Sequence, residues 1–279
     1  MANTRLRRCP PPQVDRKSAR VREESFFERL AANVNAAAGV YDPLSGRTYD
    51  ASARNRVTKT LDERSTEVKG LIKRFAERDL MRTYEEMPKN GVVLHEILHK
   101  EFLGRPSVRV VLAGAAFSPV EDLVREGTSR RLIRAEELVR VKDLIVRSEN
   151  VFYYIGAFAT TGWEEEARRV LIGGNHLIAL SDVHEGAWRT YYAPDSRWRS
   201  TARLFDLTTE EEKIEAIRRW VQNHTFELLM DELTEDTVFD ELGYAIPIVR
   251  EAFEQIAAED TYVRFDTSTR PYRLVRVYG

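Results

Sequence analysis

The chain has 279 residues, of which 43% are hydrophobic, and this is enough for two or three small domains with buried cores. No apolar run approaches the roughly 20 residues of a membrane span, and the N-terminus lacks the apolar segment of a secretory signal. We therefore expect an intracellular protein, in the cytoplasm or the nucleus, with no membrane partner. Cys9 is the only cysteine, which excludes an intramolecular disulfide and a zinc site built on cysteines.

The net charge of −2 hides an uneven distribution along the chain. Residues 1–105 carry 21 Lys and Arg against 15 Asp and Glu, residues 106–200 carry 13 of each, and residues 201–279 carry 9 against 17. If one region contacts a polyanion, it is the first. The acidic last region favours a protein partner or another copy of the chain.

Residues 1–22 combine a run of three prolines with seven basic residues. This composition predicts a disordered basic arm, which is either a solvated tail or a tether to phosphate.

Residues 23–105 are predicted to form a winged-helix DNA-binding domain. Helical periodicity begins at Ser25, a short helix is expected at Ala53–Leu61, and a third helix runs from about Ser65 to Asp79. Two β-capable runs, 81–87 and 92–97, then flank Asn90-Gly91, the dipeptide that most favours a two-residue hairpin turn.

The third helix has a basic face. A helical wheel places Val68, Leu71, Ile72 and Phe75 on the core side and a small, basic set of residues opposite them, which suits a major groove. Other basic residues precede the helix or lie on the predicted wing. The predicted DNA-binding residues are Arg56, Lys59, Arg64, Thr66, Lys69, Lys73, Arg74, Arg82 and Lys89.

The segment STEVKGLIKRFAERDLMRTYEEM, followed by GVVLH, resembles winged-helix modules of transcription regulators. It is also similar to the extended winged helix in the largest subunit of the RNA polymerase III factor TFIIIC. The resemblance covers about residues 25–105. It implies a role in DNA-associated assembly and carries over no base contact.

An incompatible interpretation of the same region is a zinc metallohydrolase. His95-Glu96-Ile97-Leu98-His99 matches HExxH, in which two histidines on one helical face bind zinc and the glutamate polarises water. Lys100 and Glu101 are unusual after such a motif, no third ligand is evident, and the predicted hairpin places His95 and His99 in a strand. We therefore expect no catalytic residues and no cofactor, with zinc on His95 and His99 as the alternative.

Residues 106–200 predict an α/β unit with a mainly parallel sheet, because apolar strands alternate with helices. The strands are Val108–Phe117, Val151–Ala159 and His176–Leu180, and Tyr191–Ser200 is expected to be a linker. The stretch from Asn150 to Val183 resembles the closing β-α-β of restriction-endonuclease-like domains of the Mrr kind. The catalytic acid and (E/Q)xK strand of such nucleases have no counterpart in Val110–Ala115, so the resemblance implies a scaffold.

The charge balance and the element pattern of residues 201–279 predict an acidic, winged-helix-like interaction domain. Pro247 suits the first turn of a helix with Val249, Ala252, Phe253 and Ile256 on its buried face, and a hairpin follows at 262–277. The outward face of this helix carries Glu251 and Glu254, which would repel phosphate.

The fold class predicted from these patterns is α+β: an N-terminal winged helix, a central α/β unit and a C-terminal winged-helix-like module. The predicted function is that of a non-enzymatic DNA-binding protein that couples DNA contact to protein assembly in transcription or replication. Its expected partners are double-stranded DNA through the N-terminal domain and a protein, or a second copy, through the C-terminal domain. The alternatives are the zinc hydrolase and a pure assembly subunit without DNA binding.

Overall fold

The computed structural model describes residues 12–75, 80–100, 104–184, 186–227, 232–242 and 244–277. It divides into two compact units, unit 1 up to Leu207 and unit 2 from Thr208. None of the helices in these ranges is long and apolar enough to cross a bilayer. The protein has mixed α and β structure.

Unit 1 is built on ten strands and five helices within its described ranges. The strands are β1 (Val14–Asp15), β2 (Gly39–Asp42), β3 (Arg47–Asp50), β4 (Arg56–Leu61), β5 (Val92–His99), β6 (Ser107–Phe117), β7 (Thr128–Ser129), β8 (Phe152–Ala159), β9 (His176–His184) and β10 (Ala187–Tyr192). The helices are α1 (Arg16–Ala36), α2 (Glu63–Phe75), α3 (Leu80–Glu86), α4 (Val120–Glu126) and α5 (Ala135–Ile145). Short 3-10 turns occupy Ala53–Asn55, Glu165–Val170 and Arg199–Phe205.

A six-stranded sheet in the order β10-β9-β8-β6-β5-β4 forms the centre of unit 1. Strands β6, β8 and β9 run parallel, whereas β4, β5 and β10 pair antiparallel with their neighbours. The sheet is therefore mixed, and the expectation of a mainly parallel sheet holds only for the middle strands. Both faces are covered: Phe26 and Leu30 of α1 pack on one, and Leu138 and Val141 of α5 on the other.

The elements predicted for the N-terminal winged helix are wrong at two points. Residues 56–61 form strand β4, not the helix expected at Ala53–Leu61, because β-branched Val57, Thr58 and Thr60 pair with β5. Residues 80–86 form α3, so no hairpin joins 81–87 to 92–97. Strand β5 instead pairs with β4 on one side and β6 on the other, so the predicted domain boundary at 105/106 falls within one sheet.

The predicted basic arm is partly helical. Helix α1 begins at Arg16, and the Asp15 carboxylate accepts a hydrogen bond from the Ser18 backbone N–H at 2.7 Å, which caps the helix. The prediction of disorder is therefore wrong for residues 14–22, and residues 1–11 lie outside the described residues. The expected linker Tyr191–Ser200 likewise begins inside strand β10.

The HExxH segment lies in strand β5, not in a helix. His95 is buried, and its Nδ1 lies 3.0 Å from the Thr58 hydroxyl oxygen on β4. Burial and the nearby Arg56 lower the pKa of His95 to about 4. The imidazole is therefore neutral over most of the pH range in which proteins are handled.

Unit 2 contains three helices and three strands within its described residues, all from Glu210 onward. In chain order they are α6 (Glu210–Glu227), β11 (Glu232–Thr234), α7 (Glu235–Leu242), α8 (Ile246–Glu259), β12 (Val263–Asp266) and β13 (Arg273–Arg276). The strands form one antiparallel sheet in the order β11-β13-β12. Pro247 lies in the first turn of α8, and Val249, Ala252 and Phe253 are buried, as the sequence predicted. Ile256, predicted on the same face, is only partly buried.

A buried carboxylate fixes the start of β5. Glu23 of α1 is 3% exposed, and its two oxygens accept backbone hydrogen bonds from Lys89 at 2.7 Å, Asn90 at 3.2 Å and Gly91 at 2.8 Å. Burial raises the pKa of the Glu23 carboxyl, while these three N–H donors and Arg64 act against that shift. The three donors would lack acceptors without this side chain.

We predict that Glu23→Gln lowers the free energy of unfolding by about 2–3 kcal/mol, because charge-assisted hydrogen bonds become neutral and one donor loses its acceptor. Urea unfolding of both proteins measures the difference. Glu24→Gln is the matched control, since Glu24 is exposed and forms only a surface pair with Arg20. Equal losses in the two variants would contradict the role given to Glu23.

We predict that stability falls as the pH is lowered from about 6.5 towards 4, since the unfolded chain takes up a proton on His95 in this window and the folded chain does not. His95→Gln should reduce this pH dependence by on the order of 1–2 kcal/mol after allowance for solvent screening. Urea midpoints of the wild type and of His95→Gln at pH 7 and pH 5 check it, and equal pH dependence in the two proteins would contradict it.

Candidate nucleic-acid interface

Helix α2 has one buried side and one exposed side. Val68 and Ile72 are buried in a small cluster with Leu123 and Val124 of α4. These apolar residues recur every three or four positions, which makes the helix amphipathic. The cluster sets the orientation of α2 and turns its opposite side to solvent.

The opposite side carries the small and basic residues that the sequence predicted there. Thr66, Lys69, Gly70 and Lys73 are all exposed. A Cβ added to Gly70 would meet no atom within 4 Å, so the helix surface is open at this point. A phosphodiester backbone could approach α2 closely between the two lysines.

Charge changes sign along α2. Glu63 is acidic and lies in the first turn. Thr66 is neutral, and its hydroxyl donates to the Asp62 carbonyl at 3.0 Å. Lys73 and Arg74 lie in the last turn, where they also complement the helix dipole. The basic residues of α2 in its last turn therefore lie at the opposite end from Glu63.

Two further contacts extend this basic area. The Lys69 ammonium lies 5.6 Å from the ring centre of Tyr84 on α3, and the Arg125 guanidinium of α4 lies 4.6 Å from that of Phe75. Arg125 is 51 residues from Arg74 and was not predicted, because only the packing of α4 on α2 brings it there. We call Lys69, Lys73, Arg74 and Arg125 the basic face of α2.

Three predicted DNA-binding residues have structural partners instead. The Arg56 guanidinium donates to the Val34 carbonyl at 2.8 Å, near the end of α1, and Lys59 pairs with Glu96 at 2.6 Å. Arg64 turns inward: it donates to the Ala116 carbonyl and lies 4.4 Å from the ring centre of Phe117. Burial lowers the pKa of Arg64 to about 10, so it remains charged but is not part of an exposed face.

Arg82 and Lys89 do not lie on a wing. Arg82 is exposed on α3 and pairs with Glu86 one turn later at 3.0 Å. The Lys89 side chain is exposed, while its backbone N–H is bound to Glu23. Both residues lie in the segment between α2 and β5, and neither extends from a hairpin.

A cleft of about 270 Å³ separates α2 from α5. Its charged residues form cross-links: Arg140 pairs with Glu67, and Arg131 pairs with Glu137 at 2.8 Å. Each arginine already has a carboxylate, so the cleft carries no excess positive charge from these pairs. The pair between Arg140 and Glu67 joins α5 to α2. With its arginines already paired, the cleft offers little attraction for an anion.

The three HExxH side chains have separate partners. His95 contacts Thr58, Glu96 pairs with Lys59, and the His99 ring lies 5.0 Å from the ring of Tyr49. Four residues of strand span about 13 Å, whereas a zincin places its two histidines one helical turn apart. Within the described ranges no group of three or more His, Cys, Asp and Glu residues is arranged to hold a metal ion.

Unit 2 presents an acidic surface on α8. Glu251 and Glu254 are exposed opposite the buried Val249 and Phe253, as the sequence predicted. The arginines of the β12–β13 hairpin are divided in role: Arg264 and Arg270 are exposed, whereas Arg273 pairs with Glu232 at 2.7 Å. The helix face therefore lacks the charge that phosphate requires.

Comparison with protein-family models, curated proteins and solved structures found no match for this chain. A function must therefore be inferred from burial, charge and contacts of its own residues. Among the described residues, the basic face of α2 is the surface whose chemistry points most directly to a ligand, a polyanion.

Proposed function

We propose that the protein binds nucleic acid, double-stranded DNA in the first place, through the basic face of α2. The observation that carries the proposal is the exposed row of Thr66, Lys69, Gly70 and Lys73 on the side of α2 opposite its buried residues. Lysines supply charge to phosphates, and Thr and Gly leave room for close approach. Arg125, which pairs with Glu121 at 3.2 Å, lies beside the C-terminal half of the helix.

The division of charge between the two units supports this assignment. Unit 1 carries 35 Lys and Arg against 29 Asp and Glu, whereas unit 2 carries 8 against 16. Phosphate is attracted to the first unit and repelled by the second. The division agrees with separate tasks, nucleic-acid contact in unit 1 and protein contact in unit 2.

Unit 2 is proposed to be a winged-helix module. Its elements follow the order helix, strand, helix, helix, strand, strand, with β11 pairing beside the closing hairpin. Helix α8 would occupy the position of a recognition helix, yet it presents Glu251 and Glu254. We propose that this face binds a basic protein surface or another copy of the chain, in an assembly related to transcription or replication.

The central sheet of unit 1 is proposed to act as a scaffold. Its resemblance to restriction-endonuclease-like domains would place the catalytic acid and lysine on a strand such as β6. Strand β6 has the sequence SVRVVLAGAAF, without Asp, Glu or Lys. The proposal is therefore one of binding without a metal-dependent nuclease step.

We predict that Lys69→Glu with Lys73→Glu weakens binding to a 20-base-pair duplex by at least about tenfold, and lowers the dependence of log affinity on log salt by about 2. Fluorescence anisotropy across a salt series measures both quantities. Because both lysines are exposed, urea unfolding should be unchanged within about 0.5 kcal/mol.

The matched control is Lys100→Glu with Arg105→Glu, two exposed residues near the end of β5 and the start of β6. This variant has the same change in net charge, away from α2. Equal weakening by the two double variants would contradict a specific role for α2.

We further predict that Glu251→Ala with Glu254→Ala changes duplex affinity by less than about twofold, because an acidic helix face does not lie against phosphate in the complex. The same anisotropy titration checks this result. A tenfold change in either direction would show that α8 contacts the duplex and would contradict the separate tasks proposed for the units.

A further inference from the structure

The segment from the start of β10 to the end of the 3-10 turn at Arg199–Phe205 combines arginines with aromatic residues. Residues 187–205 contain four arginines, one aspartate and five aromatic residues. The sequence pattern predicted a linker here, whereas β10 is an edge strand of the central sheet and the 3-10 turn packs against α1 and β2. A surface of unit 1 other than α2 therefore has the composition typical of single-strand binding.

The aromatic rings of this segment form a connected row. The Tyr192 ring centre lies 5.5 Å from that of Trp198, which in turn lies 5.5 Å from that of Tyr154. The Tyr154 hydroxyl donates to the Tyr41 carbonyl at 3.1 Å, and the Arg199 guanidinium lies 3.9 Å from the centre of the Tyr41 ring. The row ends on exposed side chains at both sides.

The exposed members are suited to stacking. Tyr192 is 42% exposed although it packs on Trp198, and Arg199 is exposed above the partly buried Tyr41. Bases of single strands stack on tyrosine rings and on guanidinium planes. Trp198 is 4% exposed, and its indole N–H has no acceptor among the described residues.

The backbone at Arg199 is unusual. Its φ is 41°, in the left-handed region that an arginine rarely adopts. Such a conformation costs free energy, and the surrounding structure retains it here. Glycine would fit this φ better, so the arginine side chain is not what this backbone conformation requires.

The local charges favour a phosphate. Asp195 is neutralised by Arg197, with Nη2 to Oδ2 at 2.7 Å and Nε to Oδ1 at 3.0 Å. Arg199 and Arg203 are exposed and have no carboxylate partner among the described residues. These two cations therefore lie in the same 3-10 turn.

We propose that this surface, formed by Tyr41, Tyr192, Arg199 and Arg203 over the buried Trp198, binds single-stranded nucleic acid, with bases stacked on Tyr192 and Arg199 and a phosphate near Arg203. It deepens the proposed function and rests on it in placing nucleic acid on unit 1. The site differs from the basic face of α2 in using stacking, which duplex bases cannot offer to it.

Fluorescence anisotropy of the full chain with labelled dT12, rU12 and the 20-base-pair duplex tests the proposal. We expect Tyr192→Leu and Arg199→Gly each to weaken dT12 or rU12 binding about tenfold, since a stacking group is lost. Tyr192→Phe keeps the ring and should restore binding. The preferred strand, DNA or RNA, identifies the natural ligand class.

Two controls separate binding from folding. Arg199→Gly should unfold at the wild-type temperature or above it, because glycine accepts the positive φ. Tyr262→Leu, at a tyrosine that is 69% exposed in unit 2, should bind both single strands like the wild type.

The proposal is overturned if the wild type binds neither single strand at low salt, or if Tyr192→Leu and Tyr192→Phe bind alike. Duplex affinity is the independent readout. If it depends on Lys69 and Lys73 while the single-strand variants have no effect, only the present inference fails. If Tyr192→Leu and Arg199→Gly weaken single-strand binding while duplex affinity does not depend on Lys69 and Lys73, only the proposed role of α2 is contradicted.

Discussion

The carboxylate of Glu23 is the interaction on which the arrangement of unit 1 most depends. It binds three consecutive backbone N–H groups at Lys89, Asn90 and Gly91, immediately before β5. Asn90 then exchanges two hydrogen bonds with the Ser118 backbone beyond the end of β6, at 2.7 and 3.1 Å. The Glu23 side chain of α1 thereby fixes the position at which β5 enters the sheet. The three backbone N–H groups that it binds have a protein acceptor at a site where water is excluded.

The position of α2 follows from the same region. Its Arg64 donates to the Ala116 carbonyl of β6 and stacks on Phe117, while Val68 and Ile72 pack on α4. These contacts use the inner side of the helix completely. The outer side is left to small and basic residues, and the proposal of a polyanion surface on α2 rests on this separation.

The sequence predicted the elements whose signal is local. Strands β6 and β8 are mainly apolar runs. The capping-box pattern of Thr209 followed three residues later by Glu212 forms a reciprocal cap at the start of α6, with bonds of 3.0 and 3.2 Å. The outward residues of α2 and α8 also followed from helical periodicity alone. Periodicity and capping depend on neighbours within a few positions, which a single sequence contains.

The wrong predictions concern residues whose conformation depends on partners that are distant in the sequence. Asn90 does adopt the positive φ, 51°, that suggested a hairpin, but Glu23 of α1 holds it at the entry to β5. Strand β4 was predicted as a helix because its partner β5 lies 30 residues away. Arg64 was predicted to flank the exposed face of α2, because a helical wheel does not show the carbonyl of Ala116 to which it donates. The row from Tyr41 to Tyr192 joins residues that are 151 positions apart in the sequence.

The central claim, that nucleic acid lies on the basic face of α2, is tested most directly by lysine footprinting. The full chain is acetylated with and without a saturating DNA duplex, and the rate at each lysine is followed by mass spectrometry. Protection of Lys69 and Lys73 by at least about threefold, with Lys100 unchanged, is the result expected from phosphate contact. Equal rates at Lys69 and Lys73 in both samples, with DNA bound, would contradict the claim.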